Sequence, residues 1–162
     1  MYEQGDGGDR RLSMELSHID EQGKARMVDV SGKPKVKRTA RAEGFIHLAP
    51  KTIELIQNNR IEKGEVLSTA RIAGITGGKR TSDLIPLCHG IGIDSISVDF
   101  HIAENGIEIT ARAVCVDKTG IEMEALTAVS IAALTVYDMC KAVDKEMKIT
   151  DIRLVEKTKE SI

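Results

Sequence analysis

The chain has 162 residues and a mass of 17.7 kDa, enough for one domain with a real core and too little for a second lobe. Hydrophobic residues make up 41% and charged residues 30%, an ordinary globular composition that excludes a disordered chain. Aromatics are only 2%, so Ile, Val, Leu, Ala and Met must build the core, and ring faces for stacking single-stranded nucleic acid are scarce.

No uninterrupted apolar run reaches the roughly 18 residues of a membrane span. Met1 to Ser17 is Gly- and Asp-rich and does not read as a secretory signal. Cys88, Cys115 and Cys140 are odd in number, widely spaced and set in apolar runs. They read as reduced, buried thiols of a cytoplasmic protein, with no disulfide framework and no metal site.

The net charge of −2 conceals a segregation. Residues 1–23 carry −4, residues 24–80 carry +8 and residues 81–162 carry −6. A cation-rich half is expected to face an anion. No helix-turn-helix, zinc-finger or aromatic RNA-binding signature accompanies it, so a compact polyanion such as a nucleoside triphosphate fits better than nucleic acid.

In chain order, residues 1–17 read as a flexible arm punctuated by Gly5, Gly7 and Gly8. Residues 24–42 are basic and aperiodic, and read as an ordered loop or a partly mobile segment. Glu43 to Leu48 fits a short strand. Pro50 opens a helix through about Arg60, with Ile53 and Ile56 on its buried stripe. Lys63 to Ile75 predicts a second helix, broken by the basic, glycine-rich Thr76 to Thr81.

After the Pro86–Gly90 loop the period changes to two. Ile96, Val98, Phe100 and Ile102 alternate with polar residues, Asn105-Gly106 signals a hairpin, and Ile107 to Cys115 returns. A long helix follows from Ile121 to about Lys145, uncharged on every face between Ala125 and Tyr137. A helix apolar all round is buried all round, which a domain of this size rarely achieves alone, so self-association is expected. Met147 to Val155 predicts a last strand, and residues 157–162 a polar tail. The expected organisation is an arm over 1–17, one catalytic domain over 18–156 and that tail. The expected fold class is α+β, a ferredoxin-like antiparallel sheet with helices packed on one face.

Four constellations could carry chemistry. Thr76-Gly77-Gly78-Lys79-Arg80-Thr81 lacks the glycine, the hydroxyl residue and the preceding strand of a P-loop. It offers backbone N–H groups and two cations to an anion, or is a plain surface turn. Leu87-Cys88-His89 fits a pocket wall in which His89 donates to a substrate oxygen or nitrogen, or a structural histidine; neighbouring Cys and His point apart and make a poor nucleophile–base pair. Glu122 and Glu124 suit a helix N-terminus, and a carboxylate pair could also accept from the donor edge of a guanine. Asp138 and Lys141 share one helix face at the end of the uncharged stretch. The position predicts partial burial, which lowers a lysine's pKa toward the range of proton exchange.

Together, Met27-Val28-Asp29-Val30, Lys63-Gly64-Glu65-Val66, Thr69 to Ile75, Lys79-Arg80-Thr81, Asp83 to His89, Thr119 to Ala128 and Tyr137 to Val143 make the chain resemble the MoaC family, the cyclic pyranopterin monophosphate synthases of molybdenum cofactor biosynthesis. The resemblance runs from about His18 to Leu154. It implies a lyase that rebuilds 3',8-cyclo-7,8-dihydro-GTP into the pyranopterin, closing a cyclic phosphate as pyrophosphate leaves. It implies a hexamer, a trimer of dimers with interface active sites.

The resemblance also implies site roles. Asp138, Lys141 and Lys63 are catalytic. Leu87, Cys88, His89, Met123 and Glu124 bind substrate beside Glu122, and Lys79 and Arg38, with Arg71 and Arg80 as further candidates, hold the triphosphate. No cofactor is implied, with Mg²⁺ admitted beside the phosphates. Two other readings compete: a non-catalytic nucleotide-binding regulatory module, and a hydrolase that depends on Cys88.

Overall fold

Alternation of small and polar side chains builds the middle of the sheet. In the computed structural model, which describes residues 19–162, β1 (Val36–His47) turns Ala40, Ala42, Gly44 and Ile46 inward and Arg41, Glu43, Phe45 and His47 outward. The arm expected over 1–17 lies outside the described residues. Two helices follow, α1 (Pro50–Gln57) and α2 (Val66–Lys79), then the single turn α3 (Thr81–Leu84). The hairpin β2 (Ser95–Ala103) and β3 (Gly106–Asp117) leads into α4 (Glu122–Cys140) and β4 (Lys148–Glu160).

The sheet order is β2-β3-β1-β4 with every pair antiparallel. Ala40 faces Ala113 and Ala42 faces Ala111, so the sheet's centre is shallow. The helix α4 lies across all four strands, with α2 beside it. This is the expected ferredoxin-like α+β layer, with Ile46, Ile107, Ile109, Ile121, Val98, Val129 and Val136 fully buried in its nearly ring-free core. By length and composition α4 could cross a membrane, yet here it is the core helix, with Ala125, Ala128, Val129, Ala132 and Ala133 sealed against sheet and α2.

Four expectations are corrected. First, β1 begins at Val36, inside the segment read as a loop, because its long basic side chains disguise an alternation that only Ala40 and Ala42 carry. Second, β4 continues through residues read as a polar tail: Lys37 meets Glu160, and Arg41 pairs with Glu43 and Glu156. Lys37 and Arg41 of the basic segment are thereby neutralised by cross-strand pairing with the acidic end of the chain.

Third, the Thr76–Thr81 stretch is not a break. Thr76 to Lys79 is the last turn of α2, and its glycines are packing surfaces: a Cβ on Gly74 would sit 2.8 Å from the Ala128 carbonyl oxygen, and one on Gly77 2.7 Å from Ile131 Cγ1. Fourth, the helix bounds shift. Asn59 (φ 51°) and Gly64 (φ 106°) adopt left-handed backbone between α1 and α2, so Lys63 lies in a turn ahead of the helix. Likewise α4 ends at Cys140, five residues short of expectation, because Asp144 turns back to the start of α1. Its buried carboxylate accepts from Ala49 N (2.9 Å), Thr52 Oγ1 (2.8 Å) and Glu146 N (3.1 Å), capping a helix whose own N-cap is an alanine.

Candidate functional site

The α1–α2 turn and the last turn of α4 meet at one end of the layer. Ile61 is buried beneath that turn, which leaves Lys63 free to reach across. Its Nζ donates to Asp138 Oδ2 at 2.8 Å and to the Asp138 carbonyl oxygen at 3.2 Å. Lys141 Nζ, one helical step on, stands 2.9 Å from the other carboxylate oxygen. The three residues expected to be catalytic thus form one cluster, with one carboxylate orienting two ammonium groups. The Lys63 hydrogen bond first, and the Lys141 one second, hold the Asp138 carboxyl down to about 2, so it is an anion at every working pH. The expected partial burial is absent: the Asp138 and Lys141 side chains are 56% and 58% exposed in the single chain.

At the opposite end of α4 a cleft of about 360 Å³ is walled by Leu87, Cys88, His89, Glu122 and Met123, with Gly120 from the β3–α4 loop. This brings together five of the ten residues expected to bind substrate, and none of the four expected to hold its phosphates. Glu124, two residues on from Glu122, does not line the cleft: it is 3% exposed, with Oε2 lacking any hydrogen-bond partner among the described residues. Burial, and then the charge of Glu122, push its carboxyl above the usual range. Burial acts the same way on Glu122, but the ion pair with Lys157 and its own backbone N–H outweigh it and keep Glu122 ionised. The Cys88 thiol is pushed up by burial and by the two glutamates, and its neighbour's ring is engaged elsewhere: His89 Nε2 lies 2.6 Å from the Val28 carbonyl oxygen. A thiol held protonated without a base is a poor nucleophile.

The expected phosphate cations do not form one cradle in the single chain. Arg38 donates to the carbonyls of Asp117 (3.2 Å) and Lys118 (3.0 Å), which fixes the loop leading into the cleft. Arg71 donates to the Val98 carbonyl (2.8 Å) and lies over the Phe100 ring, which staples α2 to the edge strand. Lys79 and Arg80 end α2 without an ion-pair partner among the described residues, and Arg80 borders an outer groove with Ile72, Leu84 and Ile131. No group of three His, Cys, Asp or Glu among the described residues is placed to hold a metal.

Sequence reasoning missed three residues here. Lys157 was hidden in the supposed tail. Asp144 gave no signal, because a cap supplied from 95 residues away has no local pattern. Lys118, which reaches the Ser31 carbonyl at 2.9 Å, carries no motif that would single it out.

A ferredoxin-like layer with paired lysines on a carboxylate at one end of its central helix, and a cleft lined by Glu122 and His89 at the other, fits an enzyme domain for a small polar molecule. The chain belongs to the MoaC family, whose model matches residues 27–160. It is 57% identical over 143 residues to a cyclic pyranopterin monophosphate synthase of Streptomyces coelicolor, covering 88% of this chain and 84% of that one. It is 55% identical over 145 residues to the synthase of Peptoclostridium acidaminophilum, covering 90% and 92%. It is 52% identical over 147 residues to cyclic pyranopterin monophosphate synthase 1 of Mycobacterium bovis, covering 90% and 86%.

Proposed function

We propose that the protein is a lyase that converts 3',8-cyclo-7,8-dihydro-GTP into cyclic pyranopterin monophosphate and pyrophosphate, the reaction class its relatives are named for. The observation that carries this reading is the Lys63–Asp138–Lys141 cluster, assembled from positions 75 residues apart. Opening and reclosing a ring system needs several proton transfers, each accelerated typically ~10²–10⁴-fold by a placed acid or base. Two oriented lysines supply such groups, and their positive charge favours the anion that grows as pyrophosphate departs. The cleft at the other end of α4 receives the ring system, with Glu122 as the group that discriminates among its donors. This scheme routes no step through a cofactor, and Mg²⁺ beside the phosphates is compatible with it. A regulatory nucleotide-binding module would leave the lysine cluster idle.

The two half-sites cannot serve one substrate within one chain. Glu122 and Asp138 are 16 residues apart on one continuous helix, about 24 Å at 1.5 Å per residue. We infer that the complete site forms between copies, the cluster of one chain closing on the cleft of its neighbour, in the hexameric trimer of dimers that the family resemblance implies. The outer face of α4 supports this reading: Leu134 (55%) and Tyr137 are exposed beside Ile72 (64%), next to Asp138. Buried free thiols, Cys115 and Cys140 both raised to about 11 by burial, suit a reducing cytoplasm.

The test is direct. Purified protein given 3',8-cyclo-7,8-dihydro-GTP is expected to release pyrophosphate and a pterin in equal amounts. Release of neither, with the protein folded, would refute the assignment.

A further inference from the structure

The Met27–Ser31 segment, ahead of β1, is tied to both rims of the cleft. Its Val28 carbonyl oxygen lies 2.6 Å from His89 Nε2 on one rim, and its Ser31 carbonyl accepts at 2.9 Å from Nζ of Lys118, which precedes Thr119 and Gly120 on the other. The segment is shaped from within, because Asp29 Oδ1 accepts from Ser31 N at 2.8 Å and Val30 O from Lys33 N at 3.0 Å. Val28 and Val30 are half-buried while Met27 and Asp29 are exposed, so it lies on the domain as a strap.

A carbonyl oxygen can only accept. The nitrogen facing it must therefore carry the proton, which fixes a neutral His89 ring as the Nε2–H tautomer and leaves Nδ1 a bare acceptor. Among the described residues Nδ1 has no protein partner, and the ring lines the cleft. We propose that the strap is a positioning element of the site: it sets the tautomer of His89 so that Nδ1 accepts a hydrogen bond from an N–H or O–H group of the substrate. This reverses the donor role expected from sequence. It rests on the reading of the cleft as the ring-binding half of the site.

Two measurements separate the proposal from that reading. Nitrogen-15 NMR of the full-length, histidine-labelled protein reports the tautomer without any turnover, with His89→Gln assigning the signal. An Nε2–H ring is expected, and an Nδ1–H ring would overturn the proposal whatever the protein catalyses.

The second measurement compares strap variants that leave His89 in place. Asp29→Ala and Lys118→Ala, which loosen the strap, are expected to raise KM for the cyclised dihydro-GTP about tenfold, the worth of roughly one net hydrogen bond, with kcat changed less than about threefold. Asp29→Asn keeps an acceptor for Ser31 N and is expected to restore KM. Faster hydrogen exchange over residues 27–33 in the alanine variants with an unchanged KM would overturn the positioning role. Wild-type KM in His89→Gln would instead refute the reading of His89 as a substrate contact.

Discussion

At the residue scale, two carboxylates of α4 carry opposite shifts and hence opposite pH behaviour. Asp138 is depressed to about 2 by its two lysines, so its contribution to the fold is complete above the ordinary carboxylate range and is lost as pH falls through about 2. Glu124 is raised by burial, so the folded state holds its proton more tightly than the unfolded chain, and stability falls as pH rises through the shifted value. Glu124→Gln is therefore expected to raise Tm at pH 8 by a few degrees, at about 2–4 °C per kcal/mol. The gain should vanish near pH 4, and thermal melts at the two pH values check it.

The lysine cluster predicts the reverse pattern, function without stability. Exposed ion pairs are worth about 0–1 kcal/mol, so Lys141→Ala and Asp138→Asn should each shift Tm by a few degrees at most. Turnover should fall ~10²–10⁴-fold in each. Normal turnover by Lys141→Ala would remove it from the acid–base role. The Asp138–Lys141 pair was legible in the sequence because a three-residue helical spacing fixes a shared face. Lys63 was not, because a contact spanning 75 residues leaves no local trace, and only the family resemblance pointed to it.

At the scale of elements, the interface between α2 and α4 is built around small residues, Gly74 and Gly78 against Ala128 and Ala132, with Gly77 against Ile131. Gly74→Ala would press a methyl group against the Ala128 carbonyl at 2.8 Å, with Val98 and Ala132 at 3.1 and 3.2 Å, and backbone cannot yield as a side chain does. A loss of about 1–3 kcal/mol is expected, read by urea denaturation. Glycines that space two helices look the same in sequence as glycines that break one, which explains why Thr76 to Lys79 read as a loop. The hairpin, by contrast, was legible from alternation and Asn105-Gly106, since a two-residue period and a turn are both local properties. The two outer ends of β1 and β4 were not, because there ion pairs such as Lys37–Glu160 take the place of apolar alternation.

At the scale of the whole molecule, the composite site we propose would set the open apolar face of α4 against a second copy. The uncharged faces of α4 led to the expectation of self-association, and in the fold Leu134 and Tyr137 on that helix are exposed close in sequence to Asp138. That Glu122 and Asp138 stand at opposite ends of one helix could be read from the sequence order. That they lie about 24 Å apart needed the continuous 19-residue helix. The measurement that tests the composite site most directly is subunit complementation. Lys141→Ala, which disables the cluster, and the double variant His89→Ala/Glu122→Ala, which strips the cleft of its histidine and its glutamate, are each expected to show little turnover alone at substrate levels far below KM. Co-expressed and randomly mixed, they should recover about one quarter of wild-type turnover, because one site in four pairs an intact cluster with a neighbour's intact cleft. Mixed assemblies that form but stay as inactive as either variant alone would contradict a site shared between chains.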